Sequence, residues 1–435
     1  MNWKAAKTSA ALCLLFLVFY NACNYITSLR HDVGTFYFSW ERYIPFVPIF
    51  IVPYMSIDLF FVAAPFLASN DIELRMIRRR IASAILIACA CFLIFPLRFA
   101  FERPHVSGAL GVVFNNFRNL DKPFNQAPSL HMALRTILAL VYVRHLSGLW
   151  KWSSRIWFSL IGFSTLLTYQ HHVIDIVAGF ALGAVCVHLF QETPLRMPII
   201  CNRKVGLYYL IVATILIAGA YPLHRWGLLL VWPAVSCMMV AAGYFGIGPG
   251  IYRKQAGLIS FTGRLLLWPV LLAQRLSLMH YSRQCEPWNE LAPNVWIGRK
   301  LNDAEAADAI DRGVSAVLDL TCESSECRPF LAAHYRHLPI MDLTAPTPGH
   351  ILDALEFIHE HSSDGIVYIH CKAGYSRTGG IACAYLLSTG KANTVEEAIA
   401  HVRSVRPKIV IRREIITAIR GYTRAAHGAP RCHSP

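Results

Sequence analysis

Charge is scarce in this chain of 435 residues. Only 15% of its positions are Asp, Glu, Lys or Arg, 55% are hydrophobic, and the mean hydropathy is +0.41. That balance excludes an ordinary soluble globular protein. Acidic residues are the scarcer sign, 26 against 41 basic, and the shortage is local. Residues 1–285 hold 9 acidic against 25 basic side chains, whereas 286–435 hold 17 against 16. A basic surplus confined to the apolar part fits membrane topology and anionic lipid, and nothing in it calls for nucleic acid. The 13 cysteines are an odd number, and Cys13, Cys89, Cys91, Cys186 and Cys237 fall within apolar runs, so no disulfide framework is implied. Cys322 and Cys327 form half a metal site, but no His/Cys pair stands at ligand spacing to complete it. No metal and no other cofactor is expected. The first apolar run follows Lys4 and Lys7 but lacks a small-residue cleavage pattern, so it reads as a retained anchor. There is no internal repeat and no low-complexity tract.

What is present is a series of apolar runs approaching the roughly 20 residues that cross a hydrocarbon core. They lie near Ala10–Thr27, Ile44–Leu67, Ile81–Phe99, Leu130–Val143, Ile156–Tyr169, Val173–Phe190, Leu207–Tyr221 and Trp226–Phe245. With about eight spans, Lys4, Lys7, Arg75, Arg78, Arg79, Arg80, Arg144, Lys151 and Arg155 collect on one side, which places both termini in the cytoplasm. Residues 246–285 carry glycines and then an apolar run broken by Pro269 and flanked by Arg264 and Arg275. This stretch reads as an amphipathic linker lying in the interface. From residue 286 the pattern becomes that of a compact α/β domain. Strands are expected at Val295–Ile297, Val314–Leu320, Tyr335–Ile340 and Ile366–Ile369, and helices at Ile351–His361, Thr378–Leu387, Thr394–Val405 and Arg413–Thr423. The division is therefore 1–245 membrane domain, 246–285 linker, 286–425 soluble domain and 426–435 disordered tail.

The densest signal is His370-Cys371-Lys372-Ala373-Gly374-Tyr375-Ser376-Arg377-Thr378, set between an expected strand and an expected helix. A tight loop there turns successive backbone N–H groups inward and, with the positive end of the helix, forms a nest for a phosphate dianion. A cysteine in that field is expected as thiolate at neutral pH, a nucleophile aimed at phosphorus. Arg377 can grip two phosphoryl oxygens bidentately, and Thr378 can donate to the departing sulfur. His370, Lys372, Ala373, Gly374, Tyr375 and Ser376 complete the expected cradle.

This loop resembles the signature of the cysteine-dependent dual-specificity phosphatases, and the resemblance covers roughly Pro293 to Tyr422. It implies a general acid on a loop some thirty residues upstream. Asp342, in the segment Leu338–His350, matches that position; read alone, it is equally a turn residue before Pro346. Within the family the likeness is to mitochondrial phosphatidylglycerophosphate phosphatases, through the Asp-Leu-Thr acid loop, the Cys-Lys-Ala-Gly start of the signature and the closing stretch from Glu396 to Arg413. Lys372 and Ala373 also resemble inositol-lipid phosphatases, where a second cation suits an anionic headgroup.

A second constellation lies in the apolar half. Arg98 and Arg103 follow the third run, Ser129 and His131 open the fourth, and His171 and Asp175 lie between the fifth and sixth. Four residues apart on a helix, Asp175 can orient His171 and stabilise its positive charge. His171 is cast as a nucleophile forming a phosphohistidine and His131 as the acid. The three motifs resemble the type 2 phosphatidic acid phosphatase superfamily, in particular its inositol-phosphorylceramide-synthase-like branch, over about Ile81 to Phe190. Two departures stand out. Leu130 occupies the place of a family glycine, and Thr165 that of an arginine; Arg135, one turn beyond His131, is the expected replacement.

The resemblances together imply a multi-pass α-helical membrane domain with a six-helix lipid-phosphatase-like core, followed by a soluble α/β dual-specificity phosphatase domain with a central sheet flanked by helices. The combination is similar to predicted bacterial inner-membrane fusions. The expectation is a membrane phosphatase acting on phospholipid phosphates, its cysteine site cytoplasmic and its histidine site facing outward. Two other readings stay open: a protein tyrosine phosphatase merely tethered to the membrane, and a membrane half that binds lipid without catalysis.

Overall fold

A computed structural model describes residues 2–120, 122–192, 200–220, 222–223 and 227–428. The chain forms two compact units, Met1–Pro194 and Leu195–Pro435. The boundary differs from the one expected at 245. The last two apolar runs fall in the same unit as the phosphatase domain, and Tyr244 of the second run hydrogen-bonds to the Asp342 carbonyl there.

The first unit is helical: α1 Asn2–Ser28, α2 Ile51–Ala63, α3 Asp71–Ile94, α4 Gly108–Leu120, α5 Leu130–His145, α6 Gly148–Leu167 and α7 Val173–Leu189. Asn70 starts α3 by accepting from the backbone N–H of Ile72 and Glu73, which satisfies two orphan donors. Along α3, Ile77, Ile81, Ala84, Ile85 and Ala88 recur at helical spacing and are fully buried, in one cluster with Ala133, Ile137 and Leu138 of α5. Two glycines let α7 approach α5. A Cβ on Gly179 would stand 2.3 Å from the Ser129 carbonyl oxygen, and one on Gly183 would stand 2.8 Å from that of Ala133. Small residues four apart permit backbone contact between membrane helices, and here that contact joins the ends carrying the histidine motifs.

In the second unit α8 (Arg203–Ala220) and α9 (Leu228–Ala242) are followed by short helical turns to Tyr252, the hairpin of β1 (Lys254–Gln255) and β2 (Leu258–Ile259), and α10 (Phe261–Ser282). Pro269 inside α10 has no N–H to give the Leu265 carbonyl; Trp232 Nε1 of α9 supplies that donor at 3.2 Å, and Ser236 Oγ donates to Leu266. The stretch expected as a linker is thus a helix packed along α9.

The remainder follows as β3 Trp288–Ala292, β4 Val295–Arg299, α11 Asp303–Asp311, β5 Val314–Thr321, α12 Arg328–Ala332, β6 His334–Ile340, α13 Pro348–His361, β7 Ile366–Cys371, α14 Arg377–Ser388, α15 Val395–Val405 and α16 Arg413–Gly428. The sheet runs β3-β4-β7-β5-β6; β4, β7, β5 and β6 are parallel and β3 closes one edge antiparallel. Parallel strands are buried on both faces, and β7 accordingly hides Val367, Tyr368 and Ile369 completely. The four expected strands and four expected helices are present, while β3, α11 and α12 were not anticipated. Part of the tail expected as disordered, 426–428, ends α16, and 429–435 lie outside the described residues.

A helix stands at each of the eight apolar runs. Among the described residues, four helical stretches have the length and apolarity to cross a membrane: Trp3–Ser28, Pro48–Leu67, Arg203–Ala220 and Leu228–Tyr252.

Candidate active sites

Cys371 ends the central strand β7, at the carboxyl edge of the parallel strands where ligands of such sheets bind. The chain turns through Lys372–Ser376 and enters α14 at Arg377, so the nest lies at a helix N-terminus. Gly374 makes the turn possible. Its φ is +70°, and a Cβ there would stand 2.4 Å from the Gly298 carbonyl oxygen. Behind the loop, buried Arg406 holds it in place, donating from Nε to the Gly374 carbonyl at 3.1 Å and from Nη1 to Asn289 Oδ1 at 2.6 Å. His370 lies beneath, its Nε2 3.0 Å from Glu326 Oε2.

Arg377 is 1% exposed. Its Nη1 and Nη2 reach Glu323 as a fork, at 3.0 and 2.6 Å, and Nη1 also donates to the Ile340 carbonyl. Nε is buried and has no hydrogen-bond partner among the described residues. The Nε–Nη2 edge is therefore the one that can meet a phosphate, and Asp342 Oδ1 stands 3.3 Å from Nη2. Asp342 Oδ2 is also 3.3 Å from Lys372 Nζ. Thr378 Oγ1 is likewise buried without a partner among the described residues, as a hydroxyl kept for a departing thiolate would be.

The electrostatics follow from these pairs. Burial works to raise the Glu323 and Asp342 carboxyls, but the Arg377 guanidinium outweighs it and holds both below the usual carboxylate range. Burial pushes the neighbouring Cys322 thiol well up, and that of Cys327 up to about 12, so neither offers a ready metal-binding thiolate. Asp319, Glu326 and His370 place ligand atoms within 4.8 Å of one another. Lys254 Nζ pairs with Asp319 and Lys300 Nζ with Glu326 at 2.9 Å, so ammonium groups already supply the positive charge there. Glu323, Arg406, Asp319 and Lys254 were not legible in the sequence, because lone charged residues far from the signature loop carry no spacing signal.

In the first unit a cavity of about 410 Å³ is lined by His131, His171, Tyr54, Asp58, Asn125 and apolar side chains. Both histidines line it, His131 stacked on Tyr54 with ring centroids 4.1 Å apart. His171 Nδ1 is 3.7 Å from Asp175 Oδ2, an ion-pair distance and not a hydrogen bond. That oxygen accepts instead from the His172 backbone N–H at 2.8 Å, while the Asp175 carbonyl accepts from Ser129 N–H and ties two motifs together. Ser129 Oγ caps α5 by accepting from Met132 N–H, so its first role is structural. Arg135 differs from expectation. Its Nε donates to the Phe158 carbonyl at 2.7 Å, and it does not line the cavity, because the side chain follows the groove towards α6. Arg98 and Arg103 lie outside the lining too, Arg103 over the Phe99 ring. His172, unassigned in the sequence, has the firmer partner: Ala100 N–H donates to its Nε2, leaving Nδ1 to donate to buried Glu41 at 2.9 Å.

Residues 295–425 match the dual specificity phosphatase catalytic domain, and residues 49–189 match the PAP2 superfamily. The chain is 30% identical over 166 residues to phosphatidylglycerophosphate phosphatase PTPMT2 of Arabidopsis thaliana, covering 37% of this chain and 72% of that protein. It is 43% identical over 168 residues to Arabidopsis PTPMT1, of which the match takes in 49%, again over 37% of this chain. Human phosphatidylglycerophosphatase and protein-tyrosine phosphatase 1 is 30% identical over 170 residues, 36% of this chain and 82% of its own length. The chain belongs to the dual specificity phosphatase family, as a phosphoric monoester hydrolase whose catalytic domain follows a PAP2-superfamily domain.

Proposed function

We propose that the protein is a multi-pass membrane phosphatase, of about eight spans, that removes phosphate from phospholipid headgroups at Cys371. The observation that carries this reading is the meeting of three groups beside the loop that Cys371 opens: the Nε–Nη2 edge of Arg377, the Lys372 ammonium and the Asp342 carboxyl. In the first step the Cys371 sulfur bonds to phosphorus as the P–O ester bond breaks, and Asp342 gives its proton to the leaving alcohol oxygen. Water then attacks the cysteinyl-phosphate, Asp342 takes a proton from it, and the sulfur leaves with Thr378 donating to it. Arg377 stabilises both transition states by holding two equatorial oxygens.

The depressed proton affinity of Asp342 fits this cycle once the substrate is counted. A phosphate dianion arriving at Arg377 displaces the carboxylate from its cation and adds a like charge nearby, and both changes favour the protonated acid. Lys372 favours an anionic headgroup, and the phosphatidylglycerophosphate phosphatases among the relatives support a lipid substrate. The apolar helices and the positive-inside pattern support a membrane setting with the phosphatase domain in the cytoplasm. The cavity holding His131 and His171 supports a second, outward-facing lipid phosphatase or headgroup-transfer site. A bacterial inner membrane is the setting the domain combination favours.

The test is turnover of a panel of phospholipid phosphomonoesters and phosphotyrosine peptides by the full-length protein, compared with Cys371→Ser, His171→Ala and the double variant. Lipid turnover well above peptide turnover, lost in Cys371→Ser, is expected. Peptides turned over faster than every lipid would make the chain a tethered protein phosphatase instead.

A further inference from the structure

We infer that Asn202 and Tyr244, from the apolar helical part of the second unit, are positioning residues for the proton donor; the inference rests on Asp342 being that donor. The acid loop is held from outside itself. Tyr244 Oη donates to the Asp342 carbonyl at 2.8 Å, and Asn202 Nδ2 donates to the Leu343 carbonyl at 2.8 Å. Leu343 has φ of +59°, a conformation that a branched side chain rarely adopts and that persists only where the surroundings over-determine it. Within the loop only short-range bonds are present, Thr344 N–H and Oγ1 to the Met341 carbonyl and Leu343 N–H to Asp342 Oδ1. The two outside donors grip the carbonyls on either side of the strained peptide.

The donors are themselves fixed. Asn202 N–H donates to the Tyr244 carbonyl at 3.1 Å, and Asn202 Oδ1 caps α8 by accepting from Val205 N–H. Tyr244 stacks on Tyr209 with ring centroids 5.8 Å apart. Tyr209 Oη accepts from Gln274 Nε2, and Gln274 Oε1 accepts from Lys372 Nζ at 2.6 Å, the ammonium that faces Asp342 Oδ2. The carboxyl is thus bracketed on its backbone side and on its charge side by residues of α8, α10 and the end of the stretch Leu228–Tyr252, which is long and apolar enough to cross a bilayer. The proton donor is aimed by the membrane helices, at a phosphate ester presented at the membrane edge.

A donor out of place slows cysteinyl-phosphate formation only where the leaving oxygen needs a proton, and kcat/KM, which reports that first step apart from the later work of Asp342 as base, gives the test. The full-length protein and its Tyr244→Phe and Asn202→Ser variants are assayed on an alkyl phospholipid phosphomonoester and on an activated aryl phosphate. Asn202→Ser keeps an oxygen to cap α8. Misplacing a catalytic group by about 1 Å can cost up to about 100-fold, so each variant should lower kcat/KM on the alkyl ester by about tenfold or more. The kcat/KM on the aryl ester should stay within about twofold, which also reports an intact fold. Equal loss on both substrates, or loss on neither, overturns the inference. Asp342→Asn serves as reference: if it too lowers kcat/KM on both esters equally, Asp342 is not the donor and the proposed mechanism fails with it. If Asp342→Asn discriminates and Tyr244→Phe does not, only the present inference falls.

Discussion

Glu323 decides which edge of Arg377 is left open. By taking Nη1 and Nη2 it leaves Nε and one Nη2 hydrogen for the phosphate. Glu323→Gln keeps the shape but removes the nearer of the two carboxylates on a buried guanidinium, leaving only Asp342, and breaking a buried pair costs up to about 3–5 kcal/mol. The expected outcome is a lower unfolding temperature together with weaker protection of Cys371 from alkylation by phosphate or vanadate; unchanged protection would show that Glu323 does not orient Arg377. Asp342 allows a pH prediction. Its carboxyl must be protonated to act, so kcat on an alkyl ester falls as pH rises through its pKa in the complex. Since Arg377 and Lys372 hold the free carboxyl low, that limb appears only because bound phosphate raises it. Asp342→Asn should remove the limb and lower kcat by about 10² to 10⁴; a profile of unchanged shape counts against the assignment. Cys371, Arg377 and Asp342 were legible in the sequence because the chemistry fixes their order and spacing. Glu323 and Arg406 were not, since they reach the loop through the tertiary fold alone. Arg135 misled for the related reason that helical spacing gives a face and not the direction a long side chain takes.

At the scale of elements, the hairpin β1–β2 is more than a connector. Lys254 carries a cation into the phosphatase core, where its ammonium meets Asp319 and the Thr321 carbonyl with both charged partners almost fully buried. The Lys254 ammonium and other nearby cations outweigh the effect of burial and hold the Asp319 carboxyl well below its usual range. A depressed carboxyl contributes stability that is present above its unfolded pKa of about 3.9 and lost as pH falls through the folded value. Lys254→Met should therefore destabilise by about 3–5 kcal/mol at neutral pH, with the difference from wild type shrinking under acid, and Lys254→Met combined with Asp319→Leu should recover much of it. Thermal unfolding of the three proteins at two pH values checks this; a double variant no better than the single would contradict it. In the first unit Gly179 of α7 lies against the Ser129 backbone. Gly179→Ala must move a backbone 2.3 Å away, so a cost of about 1–3 kcal/mol and a fall in any His171-dependent lipid turnover are expected. The periodicity of the apolar runs located these helices, but it carried no information on which of them pack together. The boundary at Pro194/Leu195 was therefore hidden, as were the bonds by which Asn202 and Tyr244 reach the acid loop.

The whole molecule joins a PAP2-superfamily domain and a dual specificity phosphatase catalytic domain in one chain, each within its own compact unit, and the proposed function gives each a site. The account gives them independent reactions, so variants in the two units should combine additively in free energy, as sites without shared partners do. The cysteine reaction is the better supported, since its groups converge within hydrogen-bonding and ion-pair distances, whereas the His171–Asp175 pair stands at 3.7 Å. The most direct test is to quench the full-length protein with acid during turnover of a phospholipid phosphomonoester and to map the phosphoryl group by peptide mass spectrometry. The account predicts one phosphoryl group on the peptide carrying Cys371, absent in Cys371→Ser, which also loses that turnover. A phosphoryl group found only on His171, with turnover persisting in Cys371→Ser, would contradict it.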